Sequence, residues 1–188
     1  ATNSANFLDK PAPVISLNIN GDYRAYPLGI LIYHNIINDI VGNVPIAVTY
    51  SPTSNSAIIY KRTIGTKLLE FNMTGKYRHA NRLFYDKETY SWWQQFNGEA
   101  VIGNMSGTIL ETVPARIESF ENFRNRAPNS KTLIPLKETN YSYTPYAKYD
   151  SLRWPPLFSA PYYEAIPAMT YVVVAENQAW LLQNLREQ

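Results

Sequence analysis

The chain reads as one mostly β, α+β domain of short antiparallel strands with two short helices. Three observations predict this class. Short apolar runs recur along the whole chain and are broken by Gly, Pro, Asn and Ser. Only two stretches carry a helical period. With 188 residues, 45% of them hydrophobic, the chain can bury one core of its own.

The elements follow in order. Residues 1–13 are polar and Pro-punctuated, an N-terminal arm ahead of a single domain over 14–188. Ile15, Leu17 and Ile19 alternate with polar residues, Asn20-Gly21 suits a tight turn, and Tyr23 to Tyr26 returns, which predicts a hairpin. Pro27 fits a helix start. Tyr33, Ile36, Ile37 and Ile40 then fall at i, i+3, i+4 and i+7, so the spacing predicts an amphipathic helix ending at Val41-Gly42. Strands are predicted at 44–50, 57–62, 67–72 and 82–86, with 92–96 lying between these and 100–103. A second short helix is predicted over 116–126, with Ile117, Phe120 and Phe123 on one side and a stop before Pro128. Residues 139–165, rich in Tyr and Pro, read as a long ordered loop, and the remainder as strands.

One internal echo stands out. "VISLNINGDYRAYPLGIL" (14–31) and "MTYVVVAENQAWLLQNL" (169–185) share a plan of apolar strand, turn, Ala-aromatic pair and Leu-rich helix start. The echo predicts a pseudo-repeat that pairs across a sheet, with a further partner segment expected beyond the second copy. Chance likeness between two hairpins is the plainer alternative.

Bulk numbers exclude several classes. A formal net charge of +2 supplies no basic field for nucleic acid, although the calculated pI is near 8.7. No window approaches the apolar length of a membrane helix. No charged n-region leads into an apolar stretch, so a signal peptide is expected to be removed or absent. The chain has no cysteine, hence no disulfide and no thiolate metal site. Fifteen Tyr and thirteen Pro with only 17% charged residues fit an extracellular, periplasmic or cell-surface protein. The expected partners are a small ligand or a second copy, through Tyr- and Trp-rich surfaces. The sequons at Asn72, Asn104 and Asn140 arise readily by chance in so Asn-rich a chain.

Several segments together resemble a bacterial and archaeal family catalogued as domain of unknown function 3179. They are Ala25 to Leu28, the His34 to Asp39 run, Tyr50 to Ser54, Tyr85 to Trp93, and Gly98 to Gly103. The family pattern holds Ala-Tyr-Pro-Leu, a His-x-Ile-x-Asn-Asp helix, Tyr-Cys-Pro-x-Cys, Tyr-Asp-x-x-Thr-x-Ser-x-Trp, and Gly-x-Ala-x-x-Gly. The resemblance spans about residues 12–185 and implies an exported protein of uncharacterised function. It departs at one place. Ser51-Pro52-Thr53-Ser54 stands where many relatives carry Cys-Pro-x-Cys. Either cysteines were replaced there or this lineage lost them, and both alternatives stay open.

The chemistry follows from those residues. Two thiols spaced C-x-x-C close a disulfide or clamp a soft ion such as copper or zinc, with His34 as the natural further ligand and His79 the other imidazole. Serine hydroxyls do neither well, so no metal is expected in this form. His34, with Asn38 four residues later on the predicted helix, would point toward the following turn. The plainer reading has His34 bonded to a backbone carbonyl beside the core, and His79 at the surface. In "YDKETYSWW", Asp86 with Glu99 offers a carboxylate pair for hydrolysis, and Trp92 with Trp93 a stacking platform for a sugar or aromatic ligand. Alternatively Asp86 fixes a turn with Thr89, and one tryptophan fills the core, because adjacent strand residues face opposite ways. Three functions therefore compete: a silenced thiol redox or soft-metal site, a non-catalytic extracellular binding or structural module, and a hydrolase.

Overall fold

The computed structural model describes residues 8–136, 146, 148–155, 157, 158 and 165–186. Most of the 139–165 loop, the first seven residues of the arm and the Asn140 sequon lie outside these.

β1 (Pro13–Ile19) and β2 (Asp22–Pro27) form the expected hairpin around Asn20-Gly21, with φ of 51° and 83°. Both turn positions are left-handed, the geometry that favours Asn-Gly. α1 (Leu28–His34) follows, then β3 (Ile36–Val41), β4 (Val44–Ser51) and β5 (Ser56–Lys61) as an antiparallel meander. The short pair β6 (Thr63–Ile64) and β7 (Lys67–Leu68) leads to β8 (Phe71–Arg78), β9 (Asn81–Asp86), β10 (Trp92–Gln94) and β11 (Ala100–Ile102). β12 (Thr112–Val113) returns to β5, and β13 (Arg116–Ser119) runs along β1. Next come α2 (Phe120–Arg126) and β14 (Lys131–Thr132), which pairs parallel with β2. The last elements are β15 (Val172–Ala175), β16 (Gln178–Leu181) and α3 (Leu182–Arg186).

Three four-stranded sheets result, ordered β13-β1-β2-β14, β12-β5-β4-β3 and β11-β10-β9-β8. The second is the middle layer, as the period-two alternation of β4 dictates. Ile46, Val48 and Tyr50 pack with Ile15, Leu17, Tyr26 and Leu31 of the first hairpin and helix. Ala47, from the opposite face, packs with Tyr60, Phe71, Phe84 and Trp93 toward the third sheet. Each large apolar side chain buried in this way contributes roughly 1.5–3 kcal/mol. At the sheet edges Asn38 imitates a strand: its amide donates to Phe71 O at 2.8 Å and its carbonyl accepts from Phe71 N at 3.0 Å.

Two predicted helices are shorter than their periodicity implied. The first ends at His34 because Asn35 turns left-handed at φ 54°, its backbone and side-chain N–H groups donating to Leu31 O and the side chain also to Ile32 O. Residues 36–41 are then a strand, where β-branched Ile36, Ile37 and Ile40 are at home. The predicted i,i+4 relation of His34 to Asn38 is therefore lost. The second helix begins only at Phe120, because Ser119 caps it by accepting from Asn122 N at 3.2 Å. Residues 116–119 pair with β1, leaving Ile117 exposed while Phe120 and Phe123 are buried. The predicted strand at 67–72 splits into β7 and the start of β8 around Leu69, whose N–H donates to Arg62 O at 2.8 Å.

The echoed segments have the same element order, β1-β2-α1 and β15-β16-α3. Their surroundings differ. The first hairpin is core, whereas Val172, Val173, Val174 and Trp180 of the second are exposed.

Candidate functional site

The Ser51–Ser56 turn joins β4 to β5 on the face that the middle sheet turns toward the third. Ser54 N donates to Ser51 O at 3.2 Å and closes the turn. The parity that buries Ala47 also buries Thr49 and Ser51, and these polar residues meet others from across the layer. Ser51 Oγ accepts from Arg82 N at 3.2 Å and lies 3.3 Å from Thr53 Oγ1, which donates to Ala80 O. Asn81 Nδ2 donates to Ser54 Oγ and to Gln95 Oε1, each at 2.9 Å. Ser56 Oγ donates to the same Gln95 oxygen at 2.6 Å, and Gln95 Nε2 donates to Thr49 Oγ1 at 3.0 Å. Thr49 Oγ1 in turn donates to Ile58 O at 2.7 Å. Every polar atom in this chain of contacts is partnered, so the network fixes the register between two sheets without any charge.

Over the turn lies a cavity of about 220 Å³. Its floor is Thr53 and Ser54, one wall is His79 and Ala80, and the roof is Pro155, Phe158, Ala168 and Met169. Among the described residues, His79 is the only ionisable side chain lining it. Two bonds among the described residues tie the segments flanking the roof to the sheets. Asn55, left-handed at φ 45°, donates to the Tyr171 hydroxyl at 2.6 Å. Tyr146 accepts from Arg82, whose guanidinium sits 4.6 Å over the Tyr77 ring. Burial, with the Tyr146 hydroxyl beside it, pushes the Tyr77 phenol up to about 12.

The wall is strained. β8 and β9 are joined by a two-residue turn in which His79 and Ala80 are both left-handed, φ 50° and 59°. Histidine is tolerated there, but Ala80 does not suit that geometry, since its Cβ crowds the backbone by about 1–2 kcal/mol. Such outliers concentrate where structure serves function.

The structure thus brings Ser54 and His79 to one cavity, with Ser51 sealed beneath. His34 does not line it. His34 is half-buried at the end of α1, and the next residue's carbonyl accepts from Tyr50 N at 2.8 Å. Among the described residues no group of three or more His, Cys, Asp or Glu side chains is placed to hold a metal.

Asp86 is wholly buried and held by three hydrogen bonds. It accepts from Thr89 N at 2.5 Å, Thr89 Oγ1 at 2.8 Å and Trp93 Nε1 at 2.8 Å. This is turn chemistry joined to a core tryptophan, and Trp93 is fully buried against Phe71, ring centroids 5.9 Å apart. Trp92 is half-buried on the other face. Glu99 faces elsewhere, accepting from Asn97 Nδ2 at 3.1 Å and lining an open groove of which Asp86 is no part. The carboxylates do not share a site.

Reading the sequence singled out neither Gln95 nor Met169. Gln95 was within reach of the alternation rule, two residues after the buried Trp93. Met169 carries no local signal, because it meets Ser54 only through the tertiary fold.

One family model, described as a protein of unknown function (DUF3179), matches residues 1–188, the whole chain. The chain belongs to that family. No curated protein and no solved structure matches it.

Proposed function

We propose that this member of the DUF3179 family is a non-catalytic, exported binding module whose small ligand enters the cavity above the Ser51–Ser56 turn. One observation carries the reading: Asp86 and Ser51 are buried in structural hydrogen bonds, while the cavity above Ser51 stays open. Asp86 is wholly buried and accepts three hydrogen bonds from its own turn and Trp93, and Ser51 Oγ is sealed under the turn. The cavity instead combines apolar walls from Phe158, Met169 and Pro155 with one imidazole, the composition of a small-molecule pocket. Low charge and the Tyr-rich composition support placing the module outside the cytoplasm.

The test is a fragment titration followed by amide NMR. Fragments should shift Thr53, Ser54 and Ala80, and the shifts should vanish in Ala168→Trp, which fills the cavity from its exposed rim without touching the network. Absence of any such fragment, or shifts indifferent to Ala168→Trp, would contradict the reading.

The thiol reading retains one supporting observation, that positions 51 and 54 close a single turn through the 3.2 Å backbone bond. The Ser51→Cys/Ser54→Cys variant should then gain Cu(I) or Zn(II) affinity, or lose two free thiols in air. A variant that does neither leaves the turn purely structural.

A further inference from the structure

We propose that the outer face of the β11-β10-β9-β8 sheet is a platform for a neutral carbohydrate chain. The strand registers set Asn72 beside Tyr85 and Tyr85 beside Trp92, one row across three strands, and a bulge in the β10-β11 pairing then brings Ile102 beside Trp92. The opposite face is the core row of Phe84, Trp93 and Ala100. The outer row is only partly covered: Trp92 and Tyr85 are half-buried and Ile102 is exposed.

Two further features point to a ligand. Tyr90 is 72% exposed yet held left-handed at φ 55°, its ring stacked on Tyr85 with centroids 6.3 Å apart and planes 8° from parallel. A bulky residue in that conformation is an outlier, and here it extends the aromatic surface. Asn72 Nδ2, in the same row, is buried and has no hydrogen-bond partner among the described residues. A buried amide donor left unpaired calls for an acceptor.

Beyond Ile102 the face continues into an open groove of about 580 Å³, lined also by Leu83, Arg78, Glu99 and Ser106. Arg78 donates to Gln94 Oε1 at 2.9 Å, which holds planar polar groups at the groove's edge. Flat rings accept the C–H face of a pyranose, while guanidinium, carboxylate and amide groups match its hydroxyls in pairs. Single-stranded nucleic acid would use similar rings, but it needs a basic track. Here Arg78 is offset by Glu99, and the whole chain carries only +2.

The test is a titration of the full chain with cellohexaose, maltohexaose and chitohexaose, read on its four tryptophan indole N–H resonances. At least one sugar should move the Trp92 signal and leave Trp93, bonded to Asp86, in place. Tyr90→Asn keeps a residue suited to the left-handed turn and removes the ring, so it should weaken binding about tenfold. An unchanged Trp93 signal in that variant confirms its fold. The proposal is overturned if no sugar moves Trp92, or if Tyr90→Asn binds as tightly as the parent. It is equally overturned if only oligo-dT moves Trp92, or if that signal shifts with protein concentration alone, the mark of self-association. The amides of Thr53 and Ser54 report the turn cavity separately, so either site can fail without the other.

Discussion

Trp92 and Trp93 are neighbours in the chain and opposites in the molecule. Trp93 is sealed between two sheets with its indole N–H on Asp86, and Trp92 lies half-open on the far side of the same strand. The two faces of this sheet divide the work. The inner side pairs its polar groups with one another, so that Asp86, Thr89, Asn81 and Gln95 hold structure. The outer face carries the stacked Tyr85 and Tyr90 rings and, among the described residues, an unpartnered Asn72 amide. A dense motif is therefore a poor guide to a reactive site until the parity of its strand is known.

The comparison can be broken most forcefully from the inside. Trp93→Ala removes a fully buried ring and should cost about 3–5 kcal/mol in urea unfolding. Asp86→Ala leaves the Trp93 indole N–H and the Thr89 donors unpaired in the core, and should cost roughly 1–3 kcal/mol. Rescue by Asp86→Asn should be partial, since an amide accepts through one oxygen only.

The hairpin turns sharpen the contrast with an effect of opposite sign. β1-β2 turns on Asn20-Gly21 and β3-β4 on Gly42-Asn43, whereas β8-β9 makes the same two-residue left-handed turn on His79-Ala80. Ala80→Gly should stabilise the protein by about 1 kcal/mol, a rise of about 2–4 °C in Tm. Gly42→Ala should do the reverse, because its Cβ would meet Ile19 O at 2.2 Å. If Ala80→Gly brings no gain, the cavity wall stores no strain.

The smallest effect lies away from both faces and serves as a control. The Arg24 guanidinium, hydrogen-bonded to Asp22, holds that carboxyl down to about 2, against an ordinary value near 4. A depressed carboxyl stabilises the fold above the unfolded pKa and loses that contribution as pH falls through the folded one. Stability from this pair should thus be intact above about pH 4 and fade toward pH 2. It should amount to less than about 1 kcal/mol, because the pair is partly exposed. Asp22→Asn should flatten that part of the acid-unfolding profile.

Much of this arrangement was readable from residues alone. The alternation of Ile15, Leu17 and Ile19, the Asn-Gly turn, and the split of Trp92 from Trp93 all follow from strand periodicity and turn chemistry. Asp86 followed by Thr89 likewise reads as a turn. Residues 36–41 misled because Ile36, Ile37 and Ile40 fit a helical spacing as well as a strand, and only the left-handed Asn35 and pairing with β4 decide between them. Ile117 joined a helical stripe in the sequence but sits on a strand, since Ser119 delays the helix. The cavity was not legible at all. Its floor and roof, Ser54 and Met169, are brought together only by the fold, and the turn that walls it breaks the residue preferences by which turns are recognised.

The most direct test of this division between faces is the unfolding free energy of Trp92→Ala measured beside that of Trp93→Ala. The division predicts that Trp92→Ala stays within about 1 kcal/mol of the parent, as a residue outside the core should. The neighbouring truncation should lose several times as much. Equal losses would make Trp92 a core residue like its neighbour, and the outer face would not be free to bind.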